Sequence, residues 1–143
     1  MTARWRRWLL TTATLVSLVG LPLGAARADD PEPLPADDAT LTAQIMGGRT
    51  SVRGREHLRG RFERDLPAAL RRLTSLLRAA DALTRRGGAQ GLAVLGPAAT
   101  PAVPDLVDAL DDDDADVRAA AVEAIQALGA PNEAVVAGVA ARA

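Results

Sequence analysis

From residue 66 onward the apolar positions keep helical time. Leu66, Leu70, Leu73 and Leu77 stand at i, i+4, i+7 and i+11, one face of an α-helix. Thr84 to Leu95 predicts a second helix, ended by Gly96. Pro101 to Leu110 predicts a third, with Thr100 as its N-cap and Pro101 in the first turn, where a missing N–H costs nothing. Ala115 to Leu128 predicts a fourth, with Asp114 as N-cap and Gly129 as C-terminal stop. Asn132 is suited to cap a fifth. Upstream, Thr40 to Met46 predicts a short helix stopped by Gly47-Gly48.

The helices recur at a fixed interval. Displaced by 33 residues, Leu73 falls on Leu106, Leu77 on Leu110, Asp81 on Asp114 and Arg85 on Arg118. Leu92 falls on Ile125, Leu95 on Leu128 and Gly96 on Gly129, while Val103 and Leu106 fall on Val136 and Val139. Because 33 is not a multiple of 3.6, one long amphipathic helix cannot generate this register. Self-similarity at that period points to an all-α stack of helix pairs, a short α-solenoid.

Composition agrees. Phe62 is the only Phe and Tyr is absent, so a core must be built from Leu, Val, Ile and Ala. Ala-rich, unbranched content favours helix over sheet. With no Cys there is no disulfide framework, no thiolate site and no Cys nucleophile.

The segment from Leu95-Gly96-Pro97 to Leu128-Gly129 resembles a short HEAT repeat of the PBS-lyase-like type. The residues that carry the resemblance are Pro101 to Leu106, the acidic turn Leu110 to Asp114, Val117-Arg118 with Ala119 to Ala121, and Ala124 to Gly129. The preceding copy is degenerate: Ala79 replaces the turn acid at the Asp112 position, Thr84 replaces Val117, and Gly87-Gly88 replace Ala120-Ala121. Val52-Arg53 followed by Leu58 reads as the remnant of a still earlier copy. The resemblance implies that the turn acid and the following Arg tie neighbouring repeats together. It therefore predicts structural ion pairs among Asp112 and Arg118, and Arg85 with Asp81 or Asp114. The domain plan is 66–96 as a degenerate repeat, 97–129 as a full repeat and 130–143 as the first helix of an incomplete third. Residues 40–65 are an Arg-rich segment, either a capping helix or a degenerate repeat. About two and a half repeats make a short stack, so this segment must cap one end or the other end must find a partner.

The first 28 residues have the three-part layout of a secretory signal peptide. Arg4, Arg6 and Arg7 open it, Leu9 to Leu21 is apolar with small hydroxyl residues, and Ala26-Arg27-Ala28 supplies the small-x-small cleavage pattern. A membrane anchor is the competing reading, but the apolar run falls short of the roughly 20 residues a span needs. Arg6-Arg7 raises the twin-arginine route, with the rest of that motif poor. Cleavage near Ala28 predicts a periplasmic or extracellular protein without a membrane span. Residues 29–39, acidic and rich in Pro, read as a disordered linker.

Charge is segregated along what remains. Residues 29–48 carry five acids and no base, residues 49–86 carry 11 Arg and four acids, and residues 87–143 carry two Arg and nine acids. The arginines Arg49, Arg53, Arg55, Arg59, Arg61 and Arg64 read either as a solvated face that balances the acidic half or as a surface for an acidic protein partner. Phe62 alone offers no stacking platform, which argues against nucleic acid.

No chemistry of a catalytic kind emerges. From Asp112, acids fall at positions 1, 3, 5 and 12, ending at Glu123, close to an EF-hand loop. Val117 stands where that loop needs Gly, and Glu123 lies inside a predicted helix, so a solvated helix-capping turn is the preferred reading. His57 is the only His and reads as a surface residue. Ser51 and Ser75 lie in no nucleophile-elbow context. The expectation is therefore an exported, non-catalytic interaction scaffold with no metal and no cofactor. It would bind through the concave side formed by the second helices (84–95 and 115–128). The competing expectations are a recognition part of an enzyme or lyase system, or a fragment of a longer repeat protein. Nothing in the sequence assigns an oligomeric state.

Overall fold

The computed structural model describes residues 33–129 and 132–140. The signal-peptide expectation and the acidic residues Asp29 to Glu32 lie outside them. Among the described residues there is no strand. The helices are α1 (Asp38–Gly48), α2 (Val52–Arg64), α3 (Leu66–Leu76), α4 (Ala82–Leu95), α5 (Val103–Ala109), α6 (Ala115–Leu128) and α7 (Asn132–Ala140), with a 3-10 segment, Gly96–Ala102, between α4 and α5.

Short polar side chains set the starts. Asp37 accepts from the Thr40 amide at 2.7 Å, Ser51 from Gly54 at 3.0 Å, Asp65 from Ala68 at 3.1 Å and Asp81 from Thr84 at 2.9 Å. Each satisfies a donor that the first helical turn leaves open. Gly96 and Gly129 close α4 and α6 with φ of 59° and 57°, a left-handed turn that a Cβ would strain. The predicted third helix is divided. Pro104 has no N–H with which to reach the Thr100 carbonyl, so α-helical bonding cannot run through it. The chain winds as 3-10 instead, the Val103 N–H donates to the Thr100 carbonyl, and the Thr100 hydroxyl donates to Pro97 O at 2.6 Å. Thr100 is therefore not the N-cap of α5, whose cap residue Ala102 has no side chain to offer.

The helices pair as the 33-residue register requires. Helix α3 packs on α4, α5 packs on α6, and α4 lies along α6. Leu73 and Leu106 are both fully buried, and so are Leu92, Val117 and Ala121. Leu77 is buried, while Leu66, Leu70, Leu110 and Ile125 pack part-buried against the same core. An isolated helix pair would leave these faces wet; stacking removes them from water.

Helix α4 is the centre of the stack, touching α1, α2, α3, α6 and the 3-10 segment. Its glycines allow this. A Cβ on Gly88 would lie 2.9 Å from the Leu73 carbonyl oxygen, and one on Gly87 would lie 2.7 Å from the Thr42 methyl. Small residues thus bring α3 and α1 onto adjoining faces of α4, which meet at Gly91. Residues 40–65 contribute Leu41, Ile45, Leu58 and Phe62 to the common core. Helix α1, more than α2, lies against α4, so the N-terminal pair does not continue the register of the repeats.

Two expectations change here. Residues 33–37 are not a free linker: Leu34 packs on the core, Arg61 donates to Pro33 O at 2.7 Å, and Arg72 donates to the Ala36 carbonyl. Nor is the Arg-rich face uniformly solvated. Arg61 is buried, with a second donation to Gln44 Oε1 at 2.8 Å.

Candidate functional site

The acidic turn, the arginines of α4 and Arg49, which caps the end of α1, form a charge seam along the α4–α6 contact. Arg85 donates through Nε to Asp112 Oδ2 at 2.8 Å and through the NH2 group to Asp112 Oδ1 at 2.9 Å and Asp113 Oδ1 at 2.7 Å. Both partners of the Arg85–Asp112 pair are largely buried, at 14% and 11% side-chain exposure, so the pair is more than a screened surface contact. It holds the Asp112 carboxyl down to a pKa of about 2 and raises the pKa of the Arg85 guanidinium. Arg86 pairs with Asp116 at 3.0 Å, and Arg49 places its NH2 group on both oxygens of Glu123 at 2.7 and 2.8 Å.

Gln90 joins these pairs beneath the surface. With its amide oxygen turned toward the guanidinium groups, it accepts from Arg86 Nε at 3.0 Å and from Arg49 at 2.6 Å. Bases on α4 and at the end of α1 thus meet acids on α6 and its leading turn. Part of the basic block of the sequence is thereby neutralised by the acidic block.

The predicted ion pairs are shifted in register. Arg85 meets Asp112 of the following repeat, not Asp81 or Asp114, which cap α4 and α6. Asp81 is thereby held below the usual carboxylate range by hydrogen bonds from Thr84. Arg118 does not pair with Asp112; it donates to the carbonyls of Asp112 at 2.8 Å and Asp113 at 3.1 Å. The same local bonds occur one repeat earlier, where Arg85 donates to the carbonyls of Ala79 at 3.2 Å and Ala80 at 2.9 Å. Arg85 and Arg118 each close their own leading turn, and Arg85 also reaches forward to the next. Sequence alone identified the residues, but the forward reach depends on how far apart two stacked pairs lie.

A groove of about 440 Å³ opens between α2, α4 and α6, beside the seam. Arg49, Arg55, Arg59 and Glu56 line one wall and Glu123 and Ala127 the other, with Gln90, Ala93 and Val94 between them. Arg59 is fixed by donation from Nε to Val94 O at 2.9 Å, and Arg55 by donation to Arg49 O at 3.0 Å. Among the described residues neither has a carboxylate partner. Of the six arginines expected to meet a partner, Arg49, Arg55 and Arg59 converge here. Arg53 and Arg64 are exposed elsewhere on α2, and Arg61 belongs to the core side.

The other candidates resolve simply. His57 is exposed, Ser51 caps α2 and Ser75 is exposed on α3. Among the described residues no three His or acidic side chains converge as metal ligands. In the acidic turn, Asp112 is engaged by Arg85 and Asp114 by backbone amides. Among the described residues no helix is long and apolar enough to cross a membrane.

Comparison with known proteins finds no matching curated protein and no matching solved structure. A family match does exist: HEAT repeats match residues 56–142, more than half of the chain. Such repeats are generally non-catalytic scaffolds for protein interaction. The match spans the stacked pairs, the Arg85–Asp112 link and most of the groove, and the chain belongs to the HEAT repeats family.

Proposed function

We propose that this chain is an exported, non-catalytic scaffold whose groove takes an acidic stretch of a protein partner. The observation that carries the reading is the pair Arg55 and Arg59. Their backbones sit on a helix, their guanidinium groups are oriented by carbonyls, and their charge is unneutralised by carboxylates among the described residues. Prefixed cations lose little freedom on binding, so a carboxylate arriving there gains charge-assisted hydrogen bonds at low entropic cost. The apolar strip of Val52, Ala93 and Val94 gives the partner's backbone a dry surface. The groove runs beside the second helices of both repeats and ends against the Arg-rich segment.

A fluorescent Glu-rich peptide titrated into the full chain tests this. Binding should weaken steeply with salt and fall about tenfold in Arg55→Gln/Arg59→Gln. Binding that ignores both salt and the double substitution would exclude the groove as its site. Export has its own test: mass spectrometry of the protein recovered outside the cytoplasm should find a mature N-terminus at Asp29, and an intact Met1 would refute cleavage.

A further inference from the structure

We propose that the outer face of α6 is a second docking surface, which receives an amphipathic helix of another protein led in by two successive carboxylates. In α4 the face that meets α6 is marked by Arg85, which takes Asp112 and Asp113, by Arg86, which takes Asp116, and by Gly96, whose added Cβ would lie 3.4 Å from the Ala127 carbonyl oxygen. Between them at helical spacing lie Ala89 and Leu92, both fully buried.

Displaced by 33 residues, the same face of α6 consists of Arg118, Ala119, Val122, Ile125 and Gly129. There the burial is undone. Arg118, Ala119 and Gly129 are exposed, Val122 is 45% exposed where Ala89 is fully buried, and Ile125 is only part-buried where Leu92 is fully buried.

Arg118 identifies the occupant. Its NH1 group holds the carbonyls of its own leading turn, as the NH1 group of Arg85 does one repeat earlier. In Arg85 the remaining Nε and NH2 donors grip the acidic turn that precedes α6. In Arg118 the same two donors have no partner among the described residues. The guanidinium is already posed for a bidentate carboxylate, above an apolar strip centred on Val122. What fits is the chemistry that already covers α4: a turn with paired acids, followed by a helix with small apolar residues on one side.

This chain's own residues 111–129 have that chemistry and serve as the probe, as a synthetic peptide stapled on its outward side to hold the helix. Titrated into the full chain, it should bind saturably. Arg118→Gln in the chain, and Asp112→Asn/Asp113→Asn in the peptide, should each weaken binding about five- to tenfold. Val122→Glu in the chain should weaken it at least about tenfold, and should do so equally on an Arg55→Gln/Arg59→Gln background, where the groove no longer draws the acidic peptide. Val122 is exposed, so that variant keeps its fold, which circular dichroism verifies. No saturable binding, or binding indifferent to both Val122→Glu and Arg118→Gln, would overturn the proposal. Loss of binding only in the groove variant would overturn it too, by assigning the peptide to the groove.

Discussion

Arg85 and Asp112 are 27 residues apart in sequence and face each other as a two-pronged ion pair, Nε to Oδ2 at 2.8 Å and NH2 to Oδ1 at 2.9 Å, across the boundary between two repeats. Arg85→Ala leaves the largely buried Asp112 carboxylate without its counter-charge and frees the carbonyls of Ala79 and Ala80. The expected loss is about 2–3 kcal/mol in urea denaturation. Arg118→Ala removes only the local carbonyl bonds at an exposed site and should cost under about 1 kcal/mol. Equal losses would mean that the link across the repeats carries no special weight.

The same pair makes stability depend on acid. The Asp112 carboxyl is held at about 2 in the fold, against 3.8 when free. A depressed folded value means that its stabilisation is complete above about pH 4 and disappears as pH falls through about 2. Asp37 and Asp81, each lowered by a threonine at its helix start, act in the same direction. The melting temperature should fall between pH 4 and 2, and Asp112→Asn should flatten that decline while lowering the plateau at neutral pH by about 1–2 kcal/mol.

These two outcomes bear on what the sequence made legible. Helix periodicity, the glycine stops and the 33-residue register could all be read, because each depends on residues within one repeat. Leu73 and Leu106, or Gly96 and Gly129, play equal parts in equal local surroundings. The partner of Arg85 could not be read that way. It depends on the offset between stacked pairs. The close approach of α3 and α1 to α4 was equally hidden, because Gly87 and Gly88, which permit it, look from sequence like damage to the repeat. The anchoring of Pro33 and Leu34 was hidden for a related reason: composition reports that the segment has little to bury, but not that Arg61 will reach out for its carbonyl.

Those glycines can be tested as a contrast. Gly88→Ala would put a methyl 2.9 Å from the Leu73 carbonyl oxygen, the Leu77 nitrogen and the Leu76 Cβ, none of which can swing aside. A loss of about 1–3 kcal/mol is expected from forced separation of α3 and α4. Gly60→Ala, in α2 with open space around it, should instead gain about 0.5–1 kcal/mol from helix propensity alone. Thermal melts of the two single variants read the opposite signs.

Thr42 offers a gain of a different kind. Its hydroxyl oxygen is buried at the α1–α4 contact with no hydrogen-bond partner, and the residue is 2% exposed. Thr42→Val keeps the shape and removes the unsatisfied group, so stability should rise by about 1 kcal/mol in urea denaturation. A loss instead would reveal a partner for that hydroxyl in solution.

The glycine-bearing helix at the centre of the stack also governs the order of assembly. With Gly87, Gly88 and Gly91 in its interior, α4 is among the segments least able to hold a helix by itself, although almost every other element leans on it. Repeat arrays commonly nucleate at any unit and spread along the row. Here spreading must stall at α4 until a scaffold exists on both sides. The α5–α6 hairpin, with its alanine-rich α6, is therefore expected to form first and α4 to anneal late, so hydrogen exchange during refolding should protect amides of α6 before those of α4. A chain built this way is expected to fold as one cooperative body despite its modular sequence, with a single transition in thermal melts.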